Sequence, residues 1–225
     1  MLFRSVSGLP ASVQLGSGAY PVLSGLGRVT DDAVALEVAA APAPDRTAGP
    51  GQAGVTLLEL QLTNPGLPEV TNEVQAEAFA ITLVDTLGAP LAEPARWLQS
   101  LRVEAGAQLL LDRPLAADDD TLLACALSPP AVVAPGTPLA LRVTGRIADA
   151  AVPGAFRARL AAPDRWEARD RGTGAAVPVV YTQSPLAGPQ VTVQAAATTV
   201  LAGGAAEFPP QLPVGALDVP ALTVI

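Results

Sequence analysis

Leu139-Ala140-Leu141-Arg142-Val143-Thr144-Gly145-Arg146-Ile147 and, past the break Val152-Pro153-Gly154, Ala155-Phe156-Arg157-Ala158-Arg159-Leu160 decide the fold class. Both stretches alternate. Leu139, Leu141 and Val143 oppose Arg142, Thr144 and Arg146, while Phe156, Ala158 and Leu160 oppose Arg157 and Arg159. Side chains of an extended chain point to opposite faces with period two, so this pattern is that of half-buried strands with apolar faces inward and guanidinium groups outward. If the two strands pair, one sheet displays Arg142, Arg146, Arg157 and Arg159 together, an ion-pairing face for which an acidic partner surface is the obvious complement.

The same reading extends outward from this pair. Strands are expected near Val34–Val38, Val55–Thr63, Ala78–Val84, Leu98–Val103, Gln108–Leu111, Leu122–Leu127, Val177–Tyr181, Val191–Ala195 and Val219–Ile225. They are separated by turn chemistry such as Asn64-Pro65-Gly66, Leu87-Gly88-Ala89-Pro90 and Ala134-Pro135-Gly136. One short helical turn is expected within Glu93 to Leu101, and no longer segment keeps a 3.6-residue apolar stripe. The chain therefore reads as all-β, a sandwich of sheets.

Composition removes most chemistry. The 225 residues include no histidine and no lysine, and all 13 cations are arginines, which excludes the usual general base, Schiff-base amine and imidazole metal ligand. A net charge of -8 opposes nucleic acid and anionic lipid as partners. With half its residues apolar, the chain has the material for a core, but aromatics make up only 4%, so Val, Leu and Ala must fill most of it. The single thiol, Cys125, sits in Leu122-Leu123-Ala124-Cys125-Ala126-Leu127 and reads as a small buried hydrophobe.

Several patterns are weighed and set aside. The uncharged runs Thr121 to Leu141 and Ala175 to Ala206 are too broken by proline for a spanning helix, and Met1-Leu2-Phe3-Arg4 does not lead into the apolar core of a secretory signal. Gly16-Ser17-Gly18 and Gly203-Gly204 lack the lysine and helix of a phosphate loop. Asp118, Asp119 and Asp120 are weak calcium candidates, since consecutive aspartates on extended backbone point apart; no metal and no cofactor is expected. Glu59, Glu73, Glu77, Asp85 and Glu104 could in principle form a glycosidase pair, but only Trp97, Trp166, Tyr20 and Tyr181 could supply a sugar platform, and packing is the better reading of both tryptophans. In the stretch bearing Arg157, Arg159, Arg165, Arg169 and Arg171, internal pairing with Asp164, Glu167 and Asp170 is expected. No catalytic residue is assigned.

The strand Leu57-Leu58-Glu59-Leu60-Gln61-Leu62-Thr63-Asn64 follows a Pro/Gly loop, and Ile81-Thr82-Leu83-Val84-Asp85 is followed by Gly88. Further on come Ala134-Pro135-Gly136-Thr137, Leu139-Ala140-Leu141-Arg142-Val143 and Pro153-Gly154-Ala155-Phe156-Arg157. In these features the chain resembles the immunoglobulin-like repeats of large exported bacterial surface proteins, over roughly residues 31 to 187. The resemblance implies an immunoglobulin-like sandwich with a structural or adhesive role at the cell surface, and it supplies no catalytic residues.

A second regularity shapes the domain expectation. The run from Asp31 to Thr63 resembles the run from Gly188 to Ile225: a short alternating strand, a loop rich in Ala, Pro and Gly, then an apolar strand. The expected organisation is an extended segment 1–30, a sandwich 31–187, and in 188–225 the first strands of a second, incomplete or intersubunit unit. Such open strands recruit partners, which makes Val191, Val193, Val219, Leu222 and Val224 candidate subunit contacts. The functional expectation is a non-enzymatic structural subunit of a bacterial surface assembly or extracellular filament, joined head-to-tail to copies of itself. An adhesive or carbohydrate-binding module, with other surface proteins or glycans as partners, is the alternative.

Overall fold

The computed structural model describes residues 30–195, which form an all-β sandwich of two sheets with no α-helix among the described residues. The strands are β1 (Leu36–Ala40), β2 (Arg46–Ala48), β3 (Val55–Thr63), β4 (Val74–Val84), β5 (Leu98–Ala105), β6 (Gln108–Pro114), β7 (Leu122–Val133), β8 (Leu139–Ile147), β9 (Gly154–Leu160), β10 (Glu167–Asp170), β11 (Val179–Tyr181) and β12 (Val191–Val193). The first sheet runs β11-β1-β3-β8-β5-β6; the second has β7 on one side of β4, with β10 and β9 sharing the other side, followed by β12 and β2. Period-two alternation fixed β3 and β8 to the residue, and the helical turn within 93–101 is a single 3-10 turn at Pro94–Arg96.

The core lies between the inward faces. Leu36, Val38, Leu60, Leu62, Leu101, Val103, Leu141 and Val143 from the first sheet meet Val74, Phe79, Ile81, Leu83, Leu123, Cys125, Phe156, Ala158 and Leu160 from the second, all with at most 5% of their surface exposed. Each larger side chain contributes about 1.5–3 kcal/mol by leaving water. Two aromatic pairs supplement the aliphatic core: Trp166 stacks on Phe79 at 4.9 Å, and Trp97 meets Phe156 edge-on at 5.4 Å.

Three expectations are corrected. First, β8 and β9 do not pair: β8 lies between β3 and β5 in the first sheet, β9 beside β4 and β12 in the second. Their apolar faces bury against the same core from opposite sides, so the expected arginine cluster is divided, with Arg142 and Arg146 on one outer surface and Arg157 and Arg159 on the other. Second, β2 and β10 were not anticipated, because three or four residues are too few for alternation to register. Third, the strand expected to open a second unit belongs to this one. β12 pairs antiparallel with β9 and parallel with β2, and Val191 and Val193 are buried in the shared core. The sandwich therefore passes the expected boundary at 187 and reaches Val193. The two segments read as repeats contribute strands to one body. Val219, Leu222 and Val224 lie outside the described residues, as do most of 1–30 and the strand expected at Val219–Ile225.

The chain between β11 and β12 is held along β9: Leu160 N–H donates to Leu186 O at 2.8 Å, and Gly188 N–H to Ala158 O at 2.9 Å. Gly188 presses on β3 where a bulge leaves Leu57 outside the ladder with β8. A Cβ at 188 would stand 2.8 Å from the Leu57 carbonyl carbon, closer still to its oxygen, and 3.2 Å from Leu58 Cα. The obstacle is backbone, so it cannot rotate away. Gly188→Ala is expected to destabilise by about 3 kcal/mol, the upper end for overpacking. Gly49→Ala, with nothing within 4 Å of the added carbon, should stay within about 0.5 kcal/mol of the parent in the same urea titration.

Candidate functional site

The outward surfaces of the two sheets differ in kind. On the first sheet the charges answer one another across strands. Register places Arg142 of β8 beside Glu59 of β3 and Glu104 of β5, and Arg102 of β5 beside Asp112 of β6. Arg142 Nε lies 3.3 Å from Glu59, Arg102 Nε 2.9 Å from Glu104, and Arg146 reaches Asp149 at 3.3 Å. This alternation of sign suits a solvated surface. A groove of about 380 Å³ runs here past Glu59, Gln61, Glu104, Pro138 and Arg142. It brings together two of the carboxylates considered for glycoside hydrolysis, but Arg142 stands between them and no aromatic ring lines the groove.

The outer face of the second sheet is different. Along β7 the outward residues are Leu122, Ala124, Ala126, Ser128 and, beyond the Pro129-Pro130 irregularity, Val132, all exposed and uncharged. Ala78 and Ala80 of β4 lie opposite Ala126 and Ala124, and Thr82 opposite Leu122. On the far side of β4, Arg159 pairs with Thr82 and Arg157 with Val84. Neither arginine forms an ion pair with another described residue. Sequence analysis marked the arginines but missed the alanine surface. Its signal was the run from Leu122 to Val133, which is uncharged throughout and apolar except for Ser128, where a solvated strand would alternate.

The expected ion pairing of Arg169 and Arg171 with Asp164, Glu167 and Asp170 gives way to pairing across strands: Arg169 binds Glu77 at 3.1 Å and Arg171 binds Glu73. Asp170, 1% exposed, is bound by backbone. Its carboxylate accepts N–H bonds from Ala33 at 2.7 Å, Gly172 at 2.8 Å and Thr173 at 2.9 Å, and from the Asn72 amide at 2.9 Å. Fully buried Asn64 extends this knot by donating to Asn72 O at 2.9 Å. Three chain segments distant in sequence, around residues 33, 64–72 and 170–173, are thereby tied at one end of the sandwich. The arrangement is structural, since every donor satisfies a group that burial would otherwise strand.

Asp118, Asp119 and Asp120 are not a metal cage. Asp119 is taken by Arg113 and by the Ala116 N–H at 2.7 Å, which closes the turn between β6 and β7, while Asp118 and Asp120 stay exposed. Among the described residues no group of His, Cys, Asp and Glu is placed to hold a metal ion, and no helix is long and apolar enough to cross a membrane. Trp97, Trp166 and Tyr181 offer no platform for a sugar: Trp166 is stacked on Phe79, Trp97 packs edge-on against Phe156, and Trp166 Nε1–H donates to Tyr181 Oη at 3.0 Å while that hydroxyl donates to Ala161 O. Tyr20 lies outside the described residues. Cys125 is fully buried, and burial pushes its thiol up to about 12, against a smaller opposing pull from Arg113.

No family model matches the chain, and no curated protein matches it. Among solved structures it is similar to the seventh ScaB type I cohesin from Pseudobacteroides cellulosolvens, at 12% identity over 75% of this chain and 96% of that one, TM-score 0.37. It is also similar to a chain of the CaDoc0917–CaCohA2 complex, at 12% identity over 71% and 99% of the two chains, TM-score 0.36. A family 123 glycoside hydrolase from Clostridium perfringens overlaps at 9% identity over 68% of this chain and 23% of that one, TM-score 0.31. Overlaps this loose assign neither a family nor an activity.

The knot at Asp170 sets a pH dependence. Burial pushes its carboxyl upward, but the N–H donors of Ala33, Thr173 and Gly172 outweigh that and hold it below its ordinary value. A folded-state value below the unfolded one gives stability that is present above the unfolded value and lost as pH falls through the folded one. Asp170→Asn should cost about 1–3 kcal/mol at neutral pH, and the gap from the parent should narrow on acidification, measured by urea unfolding from pH 7 to pH 2. Cys125 in the native chain should resist iodoacetamide at pH 8 and react fully in denaturant, followed by intact mass.

Proposed function

We propose that this chain is a non-enzymatic structural subunit of a bacterial cell-surface assembly, working through contacts between its sheets and copies of itself. One observation carries the reading: part of the outer face of the second sheet is made of small and apolar side chains, Ala78, Ala124, Ala126 and Leu122, and beside it Arg157 and Arg159 have no ionic partner among the described residues. Elsewhere on the same face Arg169 is matched by Glu77, whereas Arg157 and Arg159 are left without such a partner.

The residue inventory supports the same view. A sequence without histidine or lysine leaves catalysis to carboxylates, and Glu59, Glu73 and Glu77 are each engaged by an arginine. The carbohydrate-binding alternative is weakened by the packing of Trp97 and Trp166 into the core. Head-to-tail joining by strand addition loses two of its five named contacts, because Val191 and Val193 are buried within the chain's own sheet.

Sedimentation velocity over a hundredfold concentration range tests the proposal. The mass-average sedimentation coefficient should rise with concentration. A strict monomer that instead saturates with an oligosaccharide on a glycan array would replace this reading with the adhesive one.

A further inference from the structure

The layout of the second sheet's outer face specifies how two copies meet, an inference that rests on the self-association proposed above. Cross-strand register defines a row: Leu122 of β7, Thr82 of β4 and Arg159 of β9. The next row outward on β4 and β9 holds Val84 and Arg157, and on the β7 side the chain has by then entered the loop Asp118-Asp119-Asp120-Thr121. At this end the face has a basic flank at Arg157 and Arg159 and an acidic flank at the exposed Asp118 and Asp120, with Thr82, Val84 and Leu122 between them; the small side chains Ala78, Ala80, Ala124 and Ala126 follow in the next rows along the strands, where exposed Glu167 lies beside Ala78. Asp119 cannot join the acidic flank because Arg113 holds it inward.

We infer that this face is an isologous dimer interface whose occupant is a second copy of the same chain, related by a two-fold axis lying in the interface parallel to β4. Rotation about such an axis exchanges the flanks and keeps each row at its own height. Arg157 and Arg159 of one copy then face Asp118, Asp120 and Leu122 of the other, and the same contacts recur in reverse, as two-fold symmetry requires. The alanines lie along the axis, where their lack of bulk lets two sheets approach at the usual face-to-face spacing of about 10 Å. Charge complementarity selects this occupant. The chain is acidic overall, and Arg157 and Arg159, without ionic partners among the described residues, lie on the opposite side of β4 from the exposed Asp118 and Asp120. On the outer face of the first sheet Arg102, Arg142 and Arg146 are each matched in place by an acid. The contact closes on itself, so any larger array needs a second surface.

Complementary charge reversal tests this arrangement. The variants Arg157→Glu/Arg159→Glu and Asp118→Arg/Asp120→Arg are both surface changes, and each should weaken self-association at least about tenfold, because like charges then face each other twice. An equimolar mixture of the two should restore a dimer to parental strength, since both halves of the mixed interface again pair opposite charges. Failure of the mixture to dimerise, or retention of full association by both variants alone, overturns the inference and leaves the broader reading standing. A parental chain that is monomeric at every concentration overturns both. Should a variant misfold, a salt series on the parent decides: a dimer weakened between 50 and 500 mM NaCl supports the inference, and one unaffected or strengthened overturns it.

Discussion

Gly188 is where the sandwich closes. The chain leaving β11 on the first sheet must reach β12 in the second, and it does so by running along β9 while pressed against the bulged backbone of β3 at Leu57. Main chain meets main chain there, and only a hydrogen fits as a side chain. Were the approach any wider, Leu186, Val191 and Val193 could not enter the core together, and β2, which pairs only with β12, would lose its partner. Polar requirements agree with the packing, because the same stretch supplies acceptors and donors to the free edge of β9 and removes it as an aggregation edge.

At the other end, a single buried carboxylate does comparable work by a different force. Asp170 gathers N–H groups from the residue 33 segment, from Asn72 and from its own turn, so loops with little apolar material are fixed by hydrogen bonds that no water competes for. The molecule is thus clamped by sterics at one place and electrostatics at another, with an aliphatic core between them. That division suits a chain poor in aromatic residues, whose core packs by many small contacts.

Function follows from what remains outside. Both outer faces carry arginines matched by acids, but on the second sheet Arg157 and Arg159 have no ionic partner among the described residues. The contrast between the charge-paired first sheet and the alanine rows of the second carries the proposed contact surface, and no single residue would have revealed it. It becomes visible once register shows that Ala78 and Ala80 lie beside Ala126 and Ala124, with Arg159 in the same row as Leu122.

Alternation in Leu139–Ile147 and Ala155–Leu160 determined from sequence alone that these are strands and which side chains turn inward, because period-two geometry is local. Burial of Cys125 and the inability of the chain to perform histidine or lysine chemistry were legible for the same reason, being properties of residues and their immediate neighbours. Tertiary structure alone decided that β8 and β9 part into different sheets, that β12 completes this sandwich, and that Asp170 serves backbone donors while Arg169 and Arg171 turn to Glu77 and Glu73. Each of these is a pairing between segments far apart in the chain, and a strand's sequence states which face it buries without stating which neighbour it will lie beside.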